Sequence, residues 1–278
     1  MKVVLVGATG AVGEQILAIL EERRLPVDEL VAVASARSVG RRLAWRGSEV
    51  EVAGLESEVF DGADIALFDV ADELSRDWAP RAAGRGTIVI DNSAAWRMDP
   101  DVPLVVPEIN PEQAANRPKG IIASANCTTL SVVVPLAALH RVAGLRRLVL
   151  ASYQAASGAG RPGIEELWEQ TQSAVKQPDE VTAGLGRDAL GPGGIFGHPL
   201  ALNVLPQCGS VKGDGYTSEE IKLCEETRKI LGISDLPVTA TCVRVPVFVG
   251  HSVAVHAEFQ HPITAAQARV ILSEAPGV

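Results

Sequence analysis

Three things are missing from this chain: long apolar runs, clustered basic charge and paired cysteines. Every apolar run is too short to cross a bilayer, so no membrane partner is expected. The formal net charge is −9 with no long basic stretch, which argues against nucleic-acid binding and against docking on an anionic membrane. The four cysteines, Cys127, Cys208, Cys224 and Cys242, show neither close pairing nor metal-type spacing. That fits a reducing cytoplasm better than a disulfide scaffold, and no metal site is expected. Internal repeats and low-complexity tracts are absent too. The sequence enters a strand at Lys2-Val3-Val4-Leu5-Val6 with no signal peptide before it, so a cytoplasmic location is the expectation. What is present is ample core material. The 278 residues are 47% hydrophobic and 21% charged, enough for one large domain or two ordinary ones.

The first half alternates strand-like and helix-like segments. Residues 3–6 form a continuous apolar run, as expected of a strand buried on both faces. A helical pattern follows over 14–23 and ends near Pro26. Residues 30–34, 65–68, 87–90 and 120–123 read as further short strands, with a helix over 73–83. Such alternation implies a parallel sheet covered by helices. The second half differs. Residues 145–153 read as a strand, 163–175 as a helix and 184–199 as a Gly/Pro-rich excursion loop. Residues 240–247 and 252–259 are longer, partly alternating strands, which points to a mixed or antiparallel sheet. The expected fold class is therefore α/β, with a parallel-sheet domain over 1–127 and an α+β domain with a mixed sheet over 128–278. A site at the seam between them is expected.

Gly7-Ala8-Thr9-Gly10-Ala11-Val12-Gly13 lies between the first strand and the first helix. Glycines there allow a tight turn and let a pyrophosphate approach the helix N-terminus. In this strand–loop–helix setting the motif reads as a Rossmann-type dinucleotide loop, although its spacing is G-x-x-G-x-x-G. An acidic residue ending the second strand would bind the ribose of NAD. Here Ser35-Ala36-Arg37-Ser38 stands in its place, and Arg37 with its neighbouring hydroxyls suits the 2′-phosphate of NADP.

Cys127 sits in Ser124-Ala125-Asn126-Cys127-Thr128-Thr129, between a strand and an apolar helical run over 130–139. A thiol opening a helix faces the positive end of its dipole, which favours thiolate, the nucleophilic form. A lone cysteine is more often structural, and the surrounding pattern decides against that here. His251 ends Arg244-Val245-Pro246-Val247-Phe248-Val249-Gly250-His251. A neutral imidazole exchanges protons near neutrality, and Arg244 can clamp a carboxylate bidentately. His140, His198, His256 and His261 lack such company and read as surface or packing residues. Arg97 is a candidate phosphate or carboxylate binder, and Gln154 could orient a substrate carbonyl. Glu219 and Lys222 would share one helix face. Taken singly, these are ordinary surface groups.

Together these segments resemble the aspartate-β-semialdehyde dehydrogenase family. The resemblance runs over essentially the whole chain and rests on GATGAVG, SARS, DNSAAWRMDPDVPLVVPEIN, ANCTT, SYQAASGAGRPGIEEL, DGYTSEEIKLCEETRKILG and ATCVRVPVFVGHS. It implies an NADP-binding Rossmann-type domain and a catalytic and dimerisation domain, assembled as a homodimer or homotetramer. It implies NADPH-dependent reductive dephosphorylation of β-aspartyl phosphate, on the route to lysine, diaminopimelate, threonine, methionine and isoleucine. By motif, Cys127 resembles the acyl-accepting nucleophile, His251 the acid/base and Gln154 the residue orienting the acyl group. The resemblance gives Arg244 and Glu219 to the substrate's carboxylate and amino groups and Arg97 and Lys222 to phosphate. Asn126 would support the loop. Ser157 and Gly158 join the cofactor contacts of Gly7, Thr9, Gly10, Ala11, Val12, Gly13, Ser35, Arg37 and Ser38.

The chain departs from the family pattern at three places. Ala125 stands where proline usually precedes Asn-Cys. Asp69-Val70-Ala71-Asp72-Glu73 replaces a small-residue loop near the cofactor, and its carboxylates are expected to weaken phosphate binding. The sequence ends at Ala275-Pro276-Gly277-Val278, before the strands, closing helix and Asp-Asn-Leu-Arg-Lys-type segment that the resemblance implies, which leads one to expect exposed apolar surface. Two rival readings are an N-acetyl-γ-glutamyl-phosphate reductase-like enzyme, whose motif has Gly before Cys, and a catalytically impaired NADP-binding family member.

Overall fold

The apolar run Lys2–Val6 forms β1, whose Val4 and Leu5 are fully buried. It pairs in parallel with β2 (Glu29–Val33) on one side and β5 (Ile65–Phe68) on the other. Side chains on both faces of such a central strand meet covering elements, so the run carries no polar alternation. The connecting helix α1 (Ala11–Glu22) buries Gly13, Leu17 and Leu20, one face of a helix at the expected spacing. A computed structural model describes all residues 1–278, and the chain divides into two units, Met1–Asn126 and Cys127–Val278.

The first unit adds β3 (Arg42–Trp45), β4 (Ser48–Ala53), α2 (Asp72–Gly84), β6 (Ile88–Asp91), β7 (Leu104–Val105) and β8 (Ile121–Ser124). Its eight-stranded sheet has the order β3-β4-β2-β1-β5-β6-β8-β7. The order reverses at β1, and the loop after β1 therefore lies at the topological switch point, where α/β sheets bind ligands. The sheet is parallel, as expected, except at one edge. β3 and β4 form an antiparallel hairpin at its edge. Its turn, Arg46-Gly47, has positive φ at both residues, 48° and 76°, the backbone that matches strand twist in a two-residue hairpin. Leu43 and Trp45 of β3 and Val50 and Val52 of β4 alternate with polar or small residues and turn one face to the core, a strand signal too short to stand out among the charged residues around it.

The second unit is built on β9 (Leu145–Gln154), flanked in parallel by β10 (Val238–Arg244) and antiparallel by β11 (Ser252–Phe259). The sheet is mixed, as its partly alternating strands implied. Helices α3 (Cys127–Ala143) and α7 (Ser218–Leu231) cover one face. Val132, Leu136, Leu148, Leu150, Leu223 and Ala240 meet there. The excursion after β9 contains α4 (Gly160–Lys176), α5 (Pro178–Thr182) and α6 (Gly186–Leu190), so the expected loop over 184–199 includes a short helix. β10 stops at Arg244 rather than continuing to residue 247: Val245 N still reaches Gln154 O at 3.0 Å, but Pro246 has no N–H to carry the ladder on. The chain closes on α8 (Ala265–Ser273), started by a Thr264/Gln267 capping box.

Candidate active site

Strand alternation carries the site. In β9 the pattern that buries Leu148 and Leu150 also turns Ser152 and Gln154 inward. In β10 the same period buries Ala240, Cys242 and Arg244. Arg244 and Gln154 stand directly opposite each other in the parallel register. Gln154 is 1% exposed, and its Nε2 donates to Thr128 Oγ1 at 2.7 Å, joining the end of β9 to the first turn of α3. Cys127 is the first residue of that helix, so its sulfur faces the helix's positive end.

His251 enters from the other side of β9. It precedes β11 and follows Gly250, whose φ of 92° lets the chain turn into the strand. Its Nε2 lies 3.3 Å from Cys127 Sγ. Ala155 N–H donates to Nδ1 at 3.0 Å. That bond settles the tautomer: a neutral ring carries its proton on Nε2, aimed at the sulfur. Burial, followed by the charge of Arg244, holds His251 below the usual histidine range, with Glu219 opposing. A second proton would meet the Ala155 N–H, which favours the neutral ring as well.

Arg244 is buried, and its Nη1 donates to Ala155 O at 2.6 Å. Gly158 packs against both groups: a Cβ there would sit 2.8 Å from Arg244 Nη1 and 3.4 Å from His251 Cε1. The first turn of α7 brings Glu219 and Lys222 together, with Nζ 2.7 Å from Oε1, as their spacing implied. The other thiols serve the core. Burial pushes Cys208 up to about 11 and Cys242 up to about 12, and it raises Cys224 too, so Cys127 is the exposed, available sulfur.

The remaining candidates lie in the first unit. Gly7 has φ of 98°, and a Cβ there would come 2.1 Å from Asp69 O; a Cβ on Gly13 would come 2.2 Å from Gly7 O. Only glycine fits either place. Gly10 caps α1 without a side-chain bond, and the first helical amide to bond back is Glu14, to Gly10 O at 3.0 Å. The amides of Ala11, Val12 and Gly13 therefore form a bare cradle of the kind a pyrophosphate fills. Thr9 Oγ1 lies 3.3 Å from Ser38 Oγ, which places the Ser35-Arg37-Ser38 turn beside this loop, with Arg37 exposed. These residues fit a dinucleotide. Asp69 borders the same cradle and accepts from Asn92 Nδ2 at 2.9 Å. Arg97 is buried, with Nε bonded to Ser124 O and Nη2 to Asn92 O, and Asn126 is buried as the last residue of this unit.

Sequence reasoning overlooked three contributors. Thr128 and Ala155 act through a hydroxyl and backbone atoms that leave no motif. Glu220 was visible in principle, as the last residue of a Thr217-x-x-Glu220 capping box. Its Oε1 also accepts from Cys242 N at 3.0 Å, tying the turn that carries Glu219 and Lys222 to the strand that carries Arg244.

A Rossmann-type unit with a glycine cradle, and a unit that sets an exposed thiol 3.3 Å from an imidazole, place the chain among the oxidoreductases. Residues 2–117 match the family model of the semialdehyde dehydrogenase NAD binding domain, and residues 136–278 that of the semialdehyde dehydrogenase dimerisation domain. The aspartate-semialdehyde dehydrogenase of Aquifex aeolicus is 47% identical over all of this chain and 79% of its own length. That of Streptomyces akiyoshiensis is 49% identical over all of this chain and 82% of its own. The crystal structure of aspartate semialdehyde dehydrogenase II complexed with ASA from Vibrio cholerae superposes with a TM-score of 0.93 at 42% identity, covering 99% of this chain and 79% of that one. The chain belongs to the aspartate-semialdehyde dehydrogenase family. No helix is long and apolar enough to cross a membrane.

Proposed function

We propose that this chain reduces β-aspartyl phosphate to aspartate β-semialdehyde and phosphate, with NADPH as reductant, through a thioester on Cys127. The observation that carries the reading is the 3.3 Å contact between Cys127 Sγ and the proton-bearing Nε2 of His251. That N–H stabilises a thiolate before attack. Thiolate attack on the acyl carbon expels phosphate and leaves the thioester. The bound nicotinamide supplies the hydride. The resulting thiohemiacetal oxygen is negatively charged, and the same Nε2–H is placed to hold the proton beside it. Collapse releases aldehyde and returns the thiolate to its hydrogen bond. Gln154 orients the acyl group.

Arg244 suits the substrate carboxylate, since its fork is planar and one edge is already fixed on Ala155 O. Glu219 suits the amino group, and Lys222 and Arg97 the phosphate, with Asn126 supporting the loop before the thiol. The glycine cradle takes the pyrophosphate, with Ser157 and Gly158 as further cofactor contacts. On this reading residues 1–127 are the NADP-binding domain and 128–278 the catalytic and dimerisation domain of a cytoplasmic homodimer or homotetramer that serves lysine, diaminopimelate, threonine, methionine and isoleucine synthesis.

Phosphate-dependent reduction of NADP by aspartate semialdehyde tests the reaction; absence of turnover from folded protein would count against it. The cofactor choice rests on Arg37. Arg37→Asp is expected to lower the preference for NADP over NAD by about 10- to 100-fold, the scale of one charge-assisted contact to phosphate. An unchanged preference would remove the NADP assignment.

A further inference from the structure

The Gly/Pro-rich excursion after β9 is fastened at two points to one face of α4. Glu166 accepts from Gly194 N at 3.0 Å and from Ile195 N at 2.5 Å. One turn on, the buried Gln170 accepts through Oε1 from Leu200 N at 2.7 Å and Ala201 N at 3.1 Å. Gln170 Nε2 in turn donates to Glu166 Oε1 at 2.9 Å, so the two clamps form one network. Phe196 lies between them. Its ring rests on Gly163, where a Cβ would come 3.0 Å from Cζ, and its face lies 5.6 Å from the Arg244 guanidinium carbon.

Arg244 is thereby met twice, through Nη1 by Ala155 O and at its guanidinium carbon by the face of the Phe196 ring. A guanidinium bonded at one nitrogen and seated over an aromatic face has its freedom reduced before a ligand arrives. Its other edge then points one way, and a bidentate carboxylate meets a prepared fork. We propose that Phe196 is the positioning residue for Arg244, and that the clamped segment from Gly194 to Ala201 is a wall of the carboxylate subsite. The proposal rests on the reading above that Arg244 binds the substrate carboxylate. Glu166 and Gln170 act through Phe196.

Phe196→Leu keeps an apolar side chain in the cleft and removes the aromatic face. It is expected to raise the KM for aspartate semialdehyde about tenfold and to leave the KM for NADP within about twofold, the scale of one desolvated cation–π contact. Glu166→Gln loosens the loop while leaving the ring, and is expected to move the same constant in the same direction by less. A second readout needs no turnover. Cys127 is alkylated with iodoacetate, which carries a carboxylate, and with neutral iodoacetamide, and the adduct is quantified at that residue. The preference for iodoacetate is expected to fall about fivefold in Phe196→Leu and further in Arg244→Ala. A wild-type KM and a wild-type alkylation preference in folded Phe196→Leu, beside a damaged Arg244→Ala, would overturn the Phe196 proposal alone. An unchanged preference in Arg244→Ala would overturn the Arg244 reading and the proposal with it.

Discussion

Gly158 shows how little room the site allows at a single residue. A methyl group there would stand 2.8 Å from Arg244 Nη1, the atom that binds Ala155 O. The far end of an arginine yields more easily than backbone, so Gly158→Ala is expected to displace the guanidinium rather than unfold the unit. Its kcat/KM for aspartate semialdehyde should drop about tenfold or more, while the thermal midpoint moves little. An unaffected kcat/KM would show that Arg244 tolerates the shift. His251 carries a second expectation. Burial and the charge of Arg244 hold its pKa below the ordinary 6.5, and the proposed mechanism uses the neutral ring. Activity is therefore present above that lowered pKa and lost as pH falls through it. The acid limb of kcat/KM should have its midpoint below 6.5; a limb centred above 6.5 would contradict the role of a burial-lowered neutral imidazole in the proposed mechanism. The residues of this dyad were legible in sequence because Cys127 follows a strand and opens a helix, and because Gly250-His251 closes a motif. Phe196 was not legible: its partner is 48 positions away, and only the fold brings it over Arg244.

At the scale of elements, the first unit depends on a buried polar knot between α2 and β6. Ser75 Oγ donates to Asp91 Oδ1 at 2.7 Å and accepts from Trp96 Nε1 at 2.9 Å. Ser93 Oγ reaches Asp91 Oδ2 at 2.6 Å. Burial holds the Asp91 carboxyl above its usual range despite both hydroxyls and the nearby Arg97. Such a group tolerates little loss of partners. Ser75→Ala is expected to lower the unfolding free energy by about 1–3 kcal/mol, the cost of leaving buried polar groups unpaired. Chemical denaturation measures this, and a change below about 0.5 kcal/mol, the range of an ordinary surface substitution, would show that the knot is dispensable. Most elements were readable from apolar period and punctuation; residues 65–68 and 252–259 were read as the strands that form. Element ends were less readable. Helix α1 begins at Ala11 rather than at residue 14, because backbone geometry continues through the glycine loop where side-chain pattern is silent. The β3–β4 hairpin was missed because its alternation, Leu43/Trp45 and Val50/Val52, spans only two apolar positions per strand between charged residues.

The whole molecule joins a Rossmann-type unit and a mixed-sheet unit, and each contributes what the other lacks. The first holds the glycine cradle and Arg37; the second holds the thiol, the imidazole, Arg244 and the Glu219–Lys222 pair. The alternating texture of the first half and the longer strands of the second announced this division. Strand order did not appear in the sequence, because pairing β1 with β5 or placing β9 between β10 and β11 depends on contacts between distant segments. The central claim, that Cys127 carries the acyl group, is tested by mixing the protein with aspartate semialdehyde and NADP in the absence of phosphate. A burst of about one NADPH per site is expected, with an acyl adduct on the Cys127 peptide that phosphate discharges, and Cys127→Ala should show neither. Steady phosphate-independent turnover with no adduct at Cys127, or an undiminished burst in Cys127→Ala, would contradict the account.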